Sequence, residues 1–124
     1  MKYIDGFVLV VPKRKFSEYK KMASEAGKVW KKHGALEYFE CVGDDLYPNM
    51  GGMKSLGFPK MTKLKKNESV WYSFIIYKSK KHRDLVNKKV MKEFDKDKNM
   101  NKDMKIPWDM NRFAYAGFKA IVEY

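Results

Sequence analysis

The chain has 124 residues, 44% hydrophobic and 15% aromatic, which excludes a disordered tail and predicts one domain over residues 1–124. No apolar run approaches the roughly 20 residues that span a bilayer, and the single cysteine, Cys41, excludes an internal disulfide and suits a cytoplasmic compartment. The net charge of +12 comes from 24 lysines and three arginines, Arg14, Arg83 and Arg112, scattered along the chain, a pattern that reads as solvated surface ahead of a nucleic-acid footprint.

Tyr3 to Val11 alternates aromatic and branched residues up to Pro12, predicting a first strand in which Gly6 admits a close neighbour. From Arg14 the period changes. Phe16, Tyr19, Met22, Ala23, Ala26, Val29, Trp30 and His33 recur at helical spacing, and Gly34 supplies a left-handed cap. His33 is expected to meet the carbonyls of the helix end. Leu36 to Val42 reads as a second strand with Tyr38 and Phe39 on opposite faces.

Asp44 to Ser55 reads as a loop, and Phe58 to Leu64 as a short extended piece. Ser69 to Tyr77 is the strongest strand signal, apolar on both faces. Ser79 is placed to cap a second helix from Lys80 to about Phe94, packing through Leu85, Val86, Val90, Met91 and Phe94. Asp95 to Met104 follows as a solvated connection, and a last strand from Arg112 to Val122 is again apolar on both faces.

This order predicts an α+β fold, a ferredoxin-like βαββαβ sandwich with two helices on one face of a four-stranded sheet. No segment is left to cover the other aromatic-rich face. A second copy placed sheet against sheet would cover it, giving a homodimer that closes into a dimeric α/β barrel.

Several strings resemble a known family. They are Tyr3-Ile4-Asp5-Gly6-Phe7-Val8 with Val11-Pro12; Gly34-Ala35-Leu36 leading to Glu40-Cys41 and Asp45; Ser73-Phe74-Ile75-Ile76-Tyr77 with Ser79, Arg83-Asp84, Asn87 and Val90-Met91; and Ile106-Pro107-Trp108-Asp109 with Arg112, Tyr115 and Gly117-Phe118. Together they look like the YbaA-like family of small uncharacterised bacterial proteins, within the dimeric α/β-barrel superfamily. The resemblance implies a cytoplasmic homodimer and carries no established reaction. The chain departs from the family pattern in the Leu46–Leu56 loop, at Lys78, over Asp95 to Lys98, and at Met110 and Ala116.

No metal or cofactor is expected. Glu40 and Cys41 are neighbours on a strand and point to opposite faces, so they cannot easily share an ion. Cys41 is expected to be a small buried hydrophobe. Gly52-Met53-Lys54-Ser55 lacks the Gly-Lys-Ser adjacency of a phosphate loop.

The remaining candidates are polar groups on otherwise apolar elements. Asp5 and Glu40 need partners if buried, with Arg83 and Arg112 as suppliers. One reading makes these pairs structural. The other makes them the lining of a small-molecule pocket between sheet and helices: Glu40 as the proton-transfer group, Arg112 as an anion anchor, Trp71, Tyr77 and Tyr115 as walls, Asp5, Arg83 and Asn87 as further contacts, and the Asp44–Leu56 loop as a lid. The alternatives are a nucleic-acid module using the basic surface and a structural or regulatory dimer without ligand. The third strand lacks the basic-glycine-aromatic string of RNA-recognition motifs.

Overall fold

Four strands form one sheet in the order β2-β3-β1-β4, with every neighbouring pair antiparallel. The strands are β1 (Tyr3–Pro12), β2 (Glu37–Val42), β3 (Glu68–Tyr77) and β4 (Ala114–Lys119). Helices α1 (Phe16–Lys32) and α3 (Lys80–Lys96) carry the apolar residues that cover one face, and a one-turn helix α2 (Phe58–Met61) lies in the β2–β3 connection. This computed structural model describes residues 1–96 and 106–124. The expected Asp95–Met104 connection lies mostly outside them.

The long apolar strands take the middle of the sheet. β1 and β3 pair over their full length, from Tyr3 opposite Tyr77 to Pro12 opposite Glu68. Their odd-numbered residues face the helices: Asp5, Phe7, Leu9 and Val11 from β1, and Trp71, Ser73, Ile75 and Tyr77 from β3. The buried core divides into two clusters. One gathers Leu9, Val11, Tyr19, Ala23 and Trp71; the other gathers Ala35, Ile75, Tyr77, Val86 and Val90, and Phe7 packs against both.

The second face carries Ile4, Val8, Phe39, Tyr72, Phe74, Ile76 and Phe118. Phe39 and Phe74 stack there at 4.8 Å, and Phe39, Tyr72 and Phe118 are 44%, 45% and 56% exposed. Gly6 permits close packing on this face, because a Cβ there would stand 3.3 Å from the Phe118 ring. Gly34 ends α1 at φ +115°, and the Ser79 hydroxyl accepts the His82 amide at the start of α3.

Several expectations are corrected. The last strand runs only from Ala114 to Lys119, opposite Tyr3 where β1 begins; one more bond, from the Ala120 amide to the Lys2 carbonyl at 3.0 Å, follows it. Arg112 belongs to a 3-10 turn, Met110–Arg112, that Asp109 caps. Residues 58–61 are helical, not extended: Pro59 suits the first turn, and the Thr62 hydroxyl bonds the Phe58 carbonyl. On α3 the inward line is Val86 and Val90, so their neighbours Leu85 and Met91 are rotated outward and half exposed. His33 meets the Glu93 carboxylate at 2.8 Å, not terminal carbonyls. Cys41 is exposed, because β2 is an edge strand and Cys41 sits on its open face.

Candidate functional site

A chamber of about 230 Å³ remains between sheet and helices, at the seam of the two core clusters. Its origin lies in α1, which turns the small side chains of Ala23 and Ala26 toward the sheet where larger residues would fill the space. Much of the remaining lining is aromatic. Phe7, Tyr19, Trp30, Tyr38, Phe94, Trp108 and Phe113 supply seven rings, and Glu40 is the one carboxylate among the described residues of the lining.

Glu40 stands on the helix-facing side of β2, opposite Ser73 of β3. The Tyr19 hydroxyl donates to its Oε1 at 2.8 Å, and the Tyr38 hydroxyl donates to its Oε2 at 2.6 Å. Burial, followed by the charge of Glu40, pushes both phenols far above the ordinary tyrosine range. Both therefore remain protonated and donating at any physiological pH. A carboxylate has about four lone-pair positions, so Glu40 keeps acceptor capacity on each oxygen after these two bonds.

On its other side Glu40 borders an outer groove of about 550 Å³ between α1 and the edge strand β2. Ala23, Tyr38 and Glu40 line both spaces and separate them. Trp71 walls the groove together with Phe16, and Lys20, Lys28 and Lys31 rim it.

A second polar cluster lies behind the chamber. Asp5, only 1% exposed, meets Arg83 with Oδ1 and Nε 3.3 Å apart, in a geometry that is electrostatic without being a hydrogen bond. Asn87 Nδ2 reaches Asp5 Oδ2 at 3.4 Å, while Asn87 Oδ1 accepts the Trp30 indole N–H at 2.9 Å and the Tyr77 hydroxyl at 3.0 Å. Arg83 also donates to the Tyr3 hydroxyl and lies over that ring, 4.9 Å from its centroid. Burial raises the Asp5 carboxyl above the usual range, although Arg83 and bonds from Asn87, Tyr77 and Tyr115 pull the other way. Trp30 joins the two clusters, since its ring lines the chamber and its N–H enters this network.

The expected site residues thus fall into three places. Asp5, Tyr77, Arg83, Asn87 and Tyr115 come together around Asp5. Glu40 lines both chamber and groove, and Trp71 lines the groove. Arg112 stands apart. Its guanidinium forks onto Glu68 at 2.8 and 2.6 Å and bonds Asp109 at 2.7 Å and the Lys63 carbonyl at 3.1 Å. Glu68 is five residues from Ser73 along β3, or ~17 Å of strand, so Arg112 does not partner Glu40. Arg112, expected as a supplier for Asp5 or Glu40, meets neither: its bonds fasten the turn before β4 to the start of β3.

The Asp44–Leu56 loop contributes nothing to the chamber lining; it leaves β2 past Gly43, where a Cβ would stand 2.6 Å from the Leu46 side chain and 3.0 Å from that of Val70. Tyr19, Tyr38 and Trp30 were not singled out from the sequence as site residues. Tyr38 carried a signal, because it lies two residues before Glu40 on a strand and so shares its face.

Residues 2–110 match the family described as "Protein of unknown function (DUF1428)". The chain is also 37% identical over 123 residues to the uncharacterised protein YbaA of Escherichia coli K12, covering 99% of each chain, and equally similar to YbaA of Shigella flexneri. The chain belongs to this family. Both of these relatives are described as uncharacterised. Among solved structures, a de novo designed protein, Foldit4, aligns with 96% of this chain and 98% of its own at a TM-score of 0.49 and 10% identity. Within this DUF1428 member no helix among the described residues is long and apolar enough to cross a membrane.

Proposed function

We propose that this protein is a cytoplasmic homodimer whose protomers, each one ferredoxin-like domain, join through their open sheet faces into an α/β barrel, and that the chamber of each protomer takes a small molecule. One observation carries the ligand reading: a carboxylate, held by two phenol hydroxyls that cannot ionise, borders a space that core side chains leave unfilled. Glu40 is the polar anchor and the proton-transfer group, and the aromatic rings bind apolar parts of the ligand by burial and ring contact. The chamber falls just below the ~300 Å³ lower end of ordinary ligand pockets, which suits a compact ligand. The Asp5–Arg83–Asn87 network acts at one remove, by holding the indole of Trp30 against the chamber.

The dimer reading rests on the exposed aromatics Phe39, Tyr72 and Phe118 of the open face, with the half-buried Phe74 stacked on Phe39. The same face bears no lysine or arginine on its strands, which favours a second copy over a phosphate backbone as its partner. Mass measurement in solution tests this part, with a dimer expected at micromolar concentration and a monomer contradicting it. Titration with small aromatic fragments, followed through the indole N–H resonances of Trp30 and Trp108, tests the chamber. Saturable shifts of both are expected. A folded protein whose two indoles answer to no fragment would remove the ligand reading.

A further inference from the structure

We infer that the chamber selects small organic cations, of the class of protonated aromatic or aliphatic amines, over neutral and anionic molecules of equal size. This rests on the reading of the chamber as a ligand site and adds its charge preference. Among the described residues the lining contains one carboxylate and seven aromatic rings, and no lysine, arginine or histidine.

Aromatic faces carry the negative end of a quadrupole, so a ring-lined space attracts cations, most strongly when water is excluded. Glu40 adds a full negative charge to the same wall. Its two bonds come from the neutral donors Tyr19 and Tyr38, which orient the carboxylate without cancelling its charge. An acceptor position remains on each oxygen for an ammonium N–H. Among the described residues no ion pair to Glu40 is formed. The groups facing the carboxylate from α1 are Tyr19 on the chamber side and Lys20, Lys28 and Lys31 on the groove side; Tyr38 and Ser73 flank it on the sheet. Lys31 is already engaged with the Leu36 carbonyl at 2.8 Å, and charges in an open groove are screened by water and salt. An anion entering the chamber would meet Glu40 and the ring faces, with no counter-charge among the described residues of the lining.

Three probes of one shape separate the outcomes: benzylamine, benzyl alcohol and benzoate, titrated at pH 7 into the full chain and read by the Trp30 and Trp108 indole resonances. Benzylamine is expected to bind at least about tenfold more tightly than benzyl alcohol, with benzoate weakest. Glu40→Gln is expected to bring amine and alcohol to within about threefold, chiefly by weakening the amine. If the alcohol binds and the amine shows no advantage, or benzoate binds best, the charge preference is overturned while the chamber stands. If none of the three binds the folded wild-type protein, the ligand reading itself fails. The wild-type ranking decides the matter even if the Glu40→Gln variant does not fold.

Discussion

Gly27 and Tyr38 fit together as a flat seat and a ring: a Cβ at position 27 would stand 2.7 Å from Tyr38 Cδ1. The glycine lies buried in the middle of α1, where its flexibility costs about 1 kcal/mol relative to alanine. In exchange the Tyr38 ring lies flush against the helix, and its hydroxyl reaches Glu40. The position of the candidate site's carboxylate is thus set partly by a missing methyl group on another element.

Gly27→Ala reverses the usual rule for a helix interior. Alanine would normally stabilise α1, but the clash with Tyr38 is expected to make the variant about 1–3 kcal/mol less stable in urea unfolding. Tyr38→Ala in the same background should restore the normal sign, so that Gly27→Ala becomes stabilising there.

Tyr19→Phe and Tyr38→Phe each remove one donor to Glu40. Each is expected to cost about 1–2 kcal/mol, as for a hydrogen bond to a charged, partly buried acceptor. The double variant leaves the carboxylate without either donor, so its loss should exceed the sum. A double-mutant cycle in urea measures the coupling, and strict additivity would show that the two phenols do not act through one group.

Ala26→Leu fills the chamber from the α1 side. Stability is expected to change by less than about 1.5 kcal/mol, because new apolar contacts offset any crowding, while fragment shifts at the Trp30 and Trp108 indoles disappear. Retained binding would place the ligand elsewhere.

Acid stability should report the Arg112 clamp. Hydrogen bonds from Arg112 hold the Glu68 carboxyl down to about 2, against an ordinary 4.5. The folded state therefore binds fewer protons than the unfolded state between those values. This contribution is complete above about pH 4.5 and is lost as the pH falls through about 2. Arg112→Met is expected to flatten that limb and to lower neutral stability by about 2 kcal/mol. Asp5 works in the opposite sense, since burial raises its carboxyl: its contribution is present below pH 3.8 and is lost as the pH rises through the folded value. Asp5→Asn should therefore steepen the acid limb. Urea melts from pH 2 to 7 distinguish the two slopes.

Phe118→Glu places a charge on the open sheet face, at an exposed position that the protomer tolerates. The expected result is a folded monomer by light scattering and circular dichroism. A variant that stays dimeric would show that the copies meet elsewhere.

The strands with two apolar faces were legible from alternation alone. So was the face-sharing of Tyr38 and Glu40, and the resemblance placed the chain in its family. That a buried Asp5 would need an arginine was also readable, with Arg83 and Arg112 as the suppliers, because a buried carboxylate requires a cation; that the partner is Arg83 was not. Arg112 shows the limit of that logic. Two carboxylates and three arginines permit several pairings, and the choice of Glu68 followed from the sheet register and the 3-10 turn at Met110–Arg112.

The sequence by itself determined the element order, the apolar faces and the residues that would need partners, since all of these follow from local periodicity and from the cost of burying charge. Only the tertiary structure decided who the partners are. Glu40 and Tyr19 are 21 positions apart, Arg112 and Glu68 are 44, and Asp5 and Asn87 are 82. Contacts over such separations depend on strand register and helix rotation, which the packing of the whole core fixes together. The chamber belongs to this second class: Ala23, Ala26 and Gly27 read as ordinary small residues on a helix face until the sheet opposite them is in place.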